Sequence, residues 1–241
     1  MATARLFLLP VCLGDTPVSA VLPADYLSVI TPLRAFFVED PRSARRFLRK
    51  AGFNAPFEEV TFVELNEHTK ENDMESLLER QGIDPGTFVR QDIGVLSEAG
   101  LPCVADPGAM AVDWAHRIGL QVIPLSGPSS LFMALMASGF NGQDFCFSGY
   151  LPAETKERRT RIAEIESKAR KTGQTQIFIE TPYRSRQMLE SLLETCRPDT
   201  RLCVACNITL ADERILTRSI AQWKKTPIDI NKKNTVFLIS A

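Results

Sequence analysis

Residues that could take part in chemistry are concentrated between Glu98 and Gly108, where two carboxylates, two glycines and two prolines fall within eleven positions. Glycine lets the backbone approach a ligand without a Cβ atom in the way, and proline fixes the shape of a loop before a ligand binds. Asp106 could either cap a helix that begins at Pro107 or hydrogen-bond a ligand hydroxyl or amine. This composition predicts a preorganised binding loop.

Two other stretches have the same character. LLPVCLGDTP, residues 8–17, closes the first predicted strand with a proline and glycine loop, and PLSGPSSLFMAL, residues 124–135, places three serines at a helix start. Three such loops after three strands predict a nucleoside-like or phosphate-bearing ligand. The chain has no G-x-G-x-x-G after the first strand and no G-x-x-x-x-G-K-[ST], which disfavours a nicotinamide-dependent oxidoreductase and the common triphosphate loop.

Strands and helices must hold these loops in place. Apolar runs predict strands at 6–11, 35–38, 60–65, 93–96, 121–125, 145–147, 176–179, 202–205 and 236–239, with helix-length stretches between many of them. This alternation predicts an α/β fold, with a mainly parallel sheet in the first half and a mixed sheet in the second. We place an N-terminal α/β domain at residues 1–125 and a C-terminal α/β domain at residues 126–241.

Four junctions combine a capping residue with a proline between an apolar run and a helical one. They are Asp40-Pro41, Asp106-Pro107, Gly127-Pro128 and Thr181-Pro182. Each predicts a helix start, because the first turn of a helix needs acceptors for its free amides and tolerates proline. Helices that begin directly after strands gather their N-termini at one sheet edge, where open α/β sheets bind ligands.

The composition limits the class of protein. The chain has 241 residues, a net charge of −1 and six cysteines without the spacing of a disulfide framework. No run approaches the roughly 18 apolar residues that span a bilayer, and the N-terminus lacks a signal cleavage site. We therefore expect a soluble cytoplasmic protein. We expect no metal site, since Cys203-x-x-Cys206 has no second pair or nearby histidine.

The near-neutral charge excludes a surface that is basic all over, but two local clusters remain. One is PRSARRFLRK, which contains Arg42, Arg45 and Arg46, and the other begins at KERR, with Arg158 and Arg159. Such clusters are either solvated helix faces or surfaces that contact the phosphates of a nucleic acid.

The sequence resembles the tetrapyrrole methylase family in its central pair of motifs. GVLSEAGLPCVADPG followed by VIPLSGPSS is similar to the pair that this family carries. FSGYLPAETKERR, IFIETPYRS and FFVEDPRSARRFL are similar to its RsmI-like branch, which methylates a cytidine ribose 2′-hydroxyl in small-subunit ribosomal RNA. The similarity extends from Leu6 to about Ile239.

The resemblance implies a two-domain fold, usually dimeric, with S-adenosylmethionine in the cleft between the domains. It also implies ribosomal RNA or the small ribosomal subunit as the partner, and no membrane. The implied cofactor-binding residues are Pro10 and Gly14 in the first loop, Ser97, Glu98, Asp106, Pro107 and Gly108 in the central loop, and Ser126, Gly127, Pro128 and Ser129 in the third.

Several segments depart from the branch pattern. Residues 10–15 read PVCLGD where PTPIGN is usual, and SEAG replaces SDAG at residues 97–100. A segment that usually reads ARELTK is ACNITL at residues 205–210, and Lys233-Asn234 replaces a usual Gly-Glu. These departures leave two alternatives open: a methylase of a small, tetrapyrrole-type molecule, or a protein that binds S-adenosylmethionine without catalysis.

Methyl transfer to a hydroxyl would need a group that removes or polarises its proton. Glu39, Asp40 and Glu180 are the candidates, because each follows a predicted strand at the expected ligand edge. Each could equally serve as a helix cap or as one half of a salt bridge, so the sequence does not select among the three.

Overall fold

A computed structural model describes residues 4–69, 73–226 and 228–241. The chain divides into two compact units, Met1–Pro128 and Ser129–Ala241, each with its own five-stranded sheet. The domain division predicted after residue 125 stays a prediction, and the first three residues of its N-terminal domain lie outside the described residues. Among the helices of the described residues, none has both the length and the apolar character needed to cross a bilayer.

The first unit alternates strands and helices. Its elements are β1 (Arg5–Leu9), α1 (Val18–Val21), α2 (Tyr26–Ile30), β2 (Ala35–Val38), α3 (Pro41–Lys50), a 3₁₀ turn (Phe57–Glu59), β3 (Thr61–Glu64), α4 (Met74–Arg80), α5 (Pro85–Phe88), β4 (Ile93–Leu96), α6 (Ala109–Arg117) and β5 (Gln121–Pro124). The strands lie in the order β3-β2-β4-β1-β5, and every neighbouring pair is parallel. The predicted parallel sheet is confirmed.

Strands β2 and β4 of the first sheet are buried on both faces, which explains their uninterrupted apolar runs. Neighbouring side chains of a strand point to opposite faces, and β2 shows this with Phe36 and Phe37, both fully buried. Phe36 stacks on Phe62 in the core of one face. Phe37 meets Trp114 edge to face in the core of the other. Burial on both faces is typical of parallel sheets covered by helices.

The second unit has a mixed sheet, as the sequence predicted. Its elements are α7 (Ser130–Ser138), β6 (Phe145–Tyr150), α8 (Thr155–Thr172), β7 (Thr175–Glu180), α9 (Ser185–Thr195), β8 (Arg201–Cys206), β9 (Arg214–Ser219), α10 (Ile220–Lys225) and β10 (Thr235–Ser240). The strand order is β6-β7-β10-β8-β9, in which only β6 and β7 pair in parallel. Phe178 and Phe237 stack at 5.7 Å in the core that α8 and α9 cover.

Helix α3 follows the capping rule on which the sequence prediction relied. The Asp40 carboxylate accepts hydrogen bonds from the amides of Arg42 and Ser43, and Pro41 occupies the first turn. Ala44 and Leu48, one turn apart, are buried. An amphipathic helix therefore begins where β2 ends.

At the other three junctions a helix follows the proline, as predicted, but does not begin directly at it. The helices begin two or three residues after the proline of Asp106-Pro107, Gly127-Pro128 and Thr181-Pro182. The N-cap residues are Gly108 for α6, Ser129 for α7 and Arg184 for α9. A turn intervenes at two of these places: the carbonyl of Pro107 accepts from the amide of Met110, and that of Thr181 accepts from the amide of Arg184.

Candidate active site

The three predicted loops meet at one edge of the first sheet because their strands are neighbours. In the order β4-β1-β5, all three strands run in parallel, so their carboxyl ends lie side by side. The loop after β1 carries Pro10 and Gly14, the loop after β4 carries residues 97–108, and the segment after β5 carries Ser126 to Pro128. This edge is where open α/β sheets bind ligands.

The contact between the first and third loops is close enough to require glycine. A Cβ atom added to Gly127 would lie 2.1 Å from Cβ of Pro10, well inside van der Waals contact. The amide of Val11 donates to the carbonyl of Gly100 at 2.9 Å, which ties the first loop to the central one. The buried Tyr26 hydroxyl donates to the carbonyl of Pro10 at 2.8 Å. The three loops therefore form one packed unit.

Asp106 closes the central loop instead of capping α6. Its Oδ1 accepts from the amide of Gly108 at 2.7 Å, and its Oδ2 accepts from the amide of Cys103 at 2.8 Å. Burial raises the pKa of this carboxyl, although the two amide hydrogen bonds lower it. Cys103 and Ala105 have φ values of 67° and 62°, a strained conformation for residues with a side chain. Strain of this kind is concentrated at functional sites.

A chain of hydrogen bonds joins the ends of β2 and β4. The amide of Glu98 donates to Oε1 of Glu39 at 3.1 Å, and the Ser43 hydroxyl donates to Oε1 of Glu98. Half-burial raises the pKa of Glu39, and the negative charges of Asp106 and Glu98 raise it further. Ser43 was not among the predicted site residues, because its partner Glu98 lies 55 positions away along the chain.

The other two predicted bases lie in different surroundings. Both carboxylate oxygens of Asp40 cap α3, and these amide hydrogen bonds lower its pKa. Glu180, in the second unit, has a fully buried side chain and pairs with Arg184 at 2.7 Å. Its Oε1 also accepts from the amide of Thr181, while Oε2 is buried without a partner among the described residues. Of the three carboxylates, Glu39 is thus the one that neither caps a helix nor forms an ion pair.

The loop edge of the first unit is acidic, which suits a cationic ligand. The charges of Glu98 and Asp106 act on Glu39, and within the described residues none of the three has a basic ion-pair partner. A sulfonium or an amine placed there would offset this charge. The carboxylates at this edge therefore fit a cationic group such as the sulfonium of S-adenosylmethionine.

The remaining predicted cofactor residues differ in burial and in the unit to which they belong. Ser97 is half-buried, and its hydroxyl donates to the carbonyl of Gly100 at 3.4 Å. Ser126 is exposed in the third loop, while Pro128 is buried. Ser129 belongs to the second unit, where its hydroxyl accepts from the amide of Phe132 and caps α7. The structure thus brings the other members of the set together in one unit and assigns Ser129 to the next.

The prediction that Arg158 lies on an RNA-binding surface is wrong. This residue is only 3% exposed, because its guanidinium donates to the Ser191 hydroxyl at 3.0 Å and to the carbonyl of Ala153 at 2.7 Å. Its neighbour Arg159 is exposed and pairs with Glu194. Adjacent residues of a helix point in different directions, so Arg158 faces the core while Arg159 faces the solvent.

Arginines of α3 remain on the surface. Arg42, Arg45 and Arg46 are all exposed. The guanidinium of Arg45 lies 5.0 Å from the ring centroid of Phe62, a cation–π contact that restricts it. Arg42 and Arg46 have no ion-pair or ring partner anywhere in the described ranges. The candidates free to contact phosphate are therefore these two.

Two of the departures from the branch pattern meet at one carboxylate in the second unit. The Asn207 amide donates to both oxygens of Asp212 at 3.0 Å, and the Lys233 ammonium donates to Oδ2 at 2.9 Å. Asn207 has a φ of 48°. These residues form a local cluster that ties the loop after β8 to the start of β10.

A metal centre finds no support in the part of the chain that the structure describes. No group of three or more histidine, cysteine, aspartate or glutamate side chains there could hold a metal ion. Cys203 and Cys206 are buried in β8, and burial raises the pKa of both thiols.

Comparison with known families and proteins gives one consistent match. The family model of the Tetrapyrrole (Corrin/Porphyrin) Methylases matches residues 32–223. The Ribosomal RNA small subunit methyltransferase I of Escherichia coli O157:H7 is 28% identical over 98% of this chain and 77% of its own length. The protein of that name from Vibrio cholerae is 30% identical over 81% of this chain and 63% of its own length, and that from Bacillus subtilis 28% over 90% and 68%.

Solved structures agree on the fold. The crystal structure of the methyltransferase CobJ aligns with a TM-score of 0.55 and 18% identity, over 100% of this chain and 94% of that one. A conserved hypothetical protein from Aeropyrum pernix K1 aligns with a TM-score of 0.64 and 15% identity, over 100% and 85%. At these identities the likeness supports the α/β architecture alone.

Proposed function

This chain belongs to the tetrapyrrole methylase family and is a methyltransferase, and we propose that it uses S-adenosylmethionine to methylate the ribose 2′-hydroxyl of a cytidine in small-subunit ribosomal RNA. The observation that carries the proposal is the packing of three glycine and proline loops at the ends of adjacent parallel strands. The names of the relatives support the RNA acceptor.

The cofactor would be held by the three loops of the first unit. When bound, it supplies a methyl group on a sulfonium, which is already strongly electrophilic. The chain's task is therefore to orient the acceptor, and correct orientation can lower a barrier by several kcal/mol. Asp106 holds the central loop in its strained shape, and Gly127 allows the third loop to approach Pro10. The acidic edge favours a cation.

Glu39 is the group that would take the proton of the acceptor hydroxyl. It is held by a single hydrogen bond, to Oε1 from the amide of Glu98, and its Oε2 has no hydrogen-bond donor among the described residues. Its raised pKa makes it a stronger base than an ordinary carboxylate once it is ionised. Asp40 and Glu180 are bound by a helix cap and an ion pair, respectively.

The experiment is a methyl-transfer assay with labelled S-adenosylmethionine on small ribosomal subunits from a strain that lacks this gene. We expect label in the RNA, and mapping should locate it at the 2′-oxygen of one cytidine. Subunits from the parent strain, already modified, serve as the control and should accept little.

The same assay separates the alternatives. Label that enters only a pool of small metabolites would replace the RNA acceptor by a ring compound. Tight cofactor binding without transfer to any fraction would instead indicate a non-catalytic binding protein. The homodimer implied by the resemblance stays a prediction, which sedimentation of the purified chain would test.

A further inference from the structure

A cavity of about 450 Å³ opens in the first unit between the first loop, α3 and the end of β4. Pockets for small ligands usually measure about 300–1,000 Å³, so this one can hold a group the size of a nucleotide. Its lining belongs entirely to the first unit. The lining combines three kinds of surface, apolar, hydroxyl-binding and basic.

The apolar part is formed by Leu13 and Phe47, both half-buried, above the buried Val11 and Leu96. The Phe47 ring is fixed by an edge-to-face contact with Tyr26, at 6.2 Å between centroids. A fixed aromatic ring at a partly open wall is the kind of surface on which proteins stack an unpaired base.

Hydroxyl-binding groups lie beside it. Ser43 and Glu98 both line the cavity, and the serine hydroxyl already donates to the carboxylate. A carboxylate has two oxygens and room for several donors, so Glu98 can accept further hydrogen bonds from the hydroxyls of a ribose.

Basic groups complete the lining. Arg46 has neither an acidic nor an aromatic partner within the residues that the structure covers. Lys50 pairs with Asp15 at 2.6 Å, but the Asp15 side chain is 100% exposed. Such an exposed pair contributes little to stability, so Lys50 can leave it for a phosphate at low cost. Gly14, Ser97 and Glu98 of the predicted cofactor set also line the cavity, so it adjoins the proposed cofactor site.

We propose that this cavity receives one nucleotide of the RNA acceptor. Its base lies against Leu13 and Phe47, its ribose hydroxyls meet Ser43 and Glu98, and Arg46 and Lys50 bind its phosphate. This assignment rests on the proposed function, which supplies RNA as the acceptor. It deepens that function by placing a single extruded nucleotide in the first unit.

Calorimetry with cytidine 5′-monophosphate and cytidine as probes tests the assignment, with S-adenosylhomocysteine present. We expect the full chain to bind the monophosphate at least about tenfold more tightly than cytidine. Arg46→Ala should abolish this preference and leave the affinity for S-adenosylhomocysteine within about twofold. Arg90→Ala, at an exposed arginine of the same unit outside the cavity lining, is the control and should keep the preference.

Three results would overturn the proposal. One is an equal loss of affinity for monophosphate and S-adenosylhomocysteine in Arg46→Ala, since the cavity would then hold the cofactor. The second is a phosphate preference that survives in Arg46→Ala, and the third is no binding of either probe to the unchanged chain. If the Arg46-dependent preference is found but ribosomal RNA is not methylated, the nucleotide site stands and the proposed function fails.

Discussion

Both units have a glutamate at the end of a strand, but only the glutamate of the second unit has a basic side chain that neutralises its charge. In the first unit Glu39 is half-buried, bound by one amide and surrounded by other acids. In the second, Glu180 is fully buried and paired with Arg184. The comparison teaches that position at a strand end does not define a base. What matters is whether the fold has already neutralised the carboxylate.

The largest expected effect is a difference in methyl-transfer rate between variants of Glu39 and Glu180. Glu39→Gln should lower the rate of methyl transfer by about 100-fold or more, the usual contribution of a general base, because the amide cannot accept the proton. Glu180→Gln should lower the rate far less. Single-turnover rates with saturating cofactor measure both, and equal losses would remove the distinction between the two glutamates.

The next effect concerns how the first unit's loops are packed. Gly127→Ala forces a Cβ atom into Pro10, so we expect a loss of about 1–3 kcal/mol in the free energy of unfolding. Affinity for S-adenosylhomocysteine should fall at least about tenfold. Gly142→Ala in the second unit is the control, because no atom lies within 4 Å of the added Cβ. Unchanged affinity in Gly127→Ala would show that the contact does not shape the binding site.

A smaller effect, on the free energy of unfolding, tests the buried ion pair between Glu180 and Arg184. Glu180→Gln should destabilise the chain by about 1–2 kcal/mol, since it weakens a charged hydrogen bond in a buried place. Glu194→Gln, which removes the exposed partner of Arg159, should cost less than about 0.5 kcal/mol. Urea unfolding of both variants gives the two values, and similar losses would mean that burial does not strengthen the Arg184 pair.

The smallest effect is on the pH dependence of stability. The raised pKa of Glu39 means that the folded chain holds this proton more tightly than the unfolded chain does. Stability should therefore fall as the pH rises from the ordinary carboxyl pKa through the raised one. Glu39→Gln should flatten this decline and raise the melting temperature at neutral pH. A variant with the same pH slope as the unchanged chain would contradict the assignment.

Much of the fold could be predicted because apolar runs define buried strands. β2 and β4 have the predicted bounds, since both are buried on both faces and begin and end at polar residues or turns. The short helices α1, α2 and α5 were missed, because four or five residues carry too little periodicity to indicate a helix.

The site was predicted less completely, for physical reasons. Glycines and prolines marked the three loops, but the partners of Asp106 depended on a turn that delays α6 by two residues. The burial of Arg158 depended on Ser191, 33 positions away. The link between Ser43, in the first turn of α3, and Glu98, just after β4, depends on the strand order that places β2 beside β4. Contacts between distant positions leave no local pattern.

The carboxylate of Asp212 has a consequence for how this lineage could diverge. Asn207 stands where the branch pattern has Glu, Lys233 stands where it has Gly, and both side chains bind the same acid. The usual Glu at position 207 would place a second carboxylate against Asp212, and the usual Gly at position 233 would take away the ammonium that binds it. A chimaera that takes either of these segments from a relative with the usual pattern would therefore remove one of the two donors to Asp212.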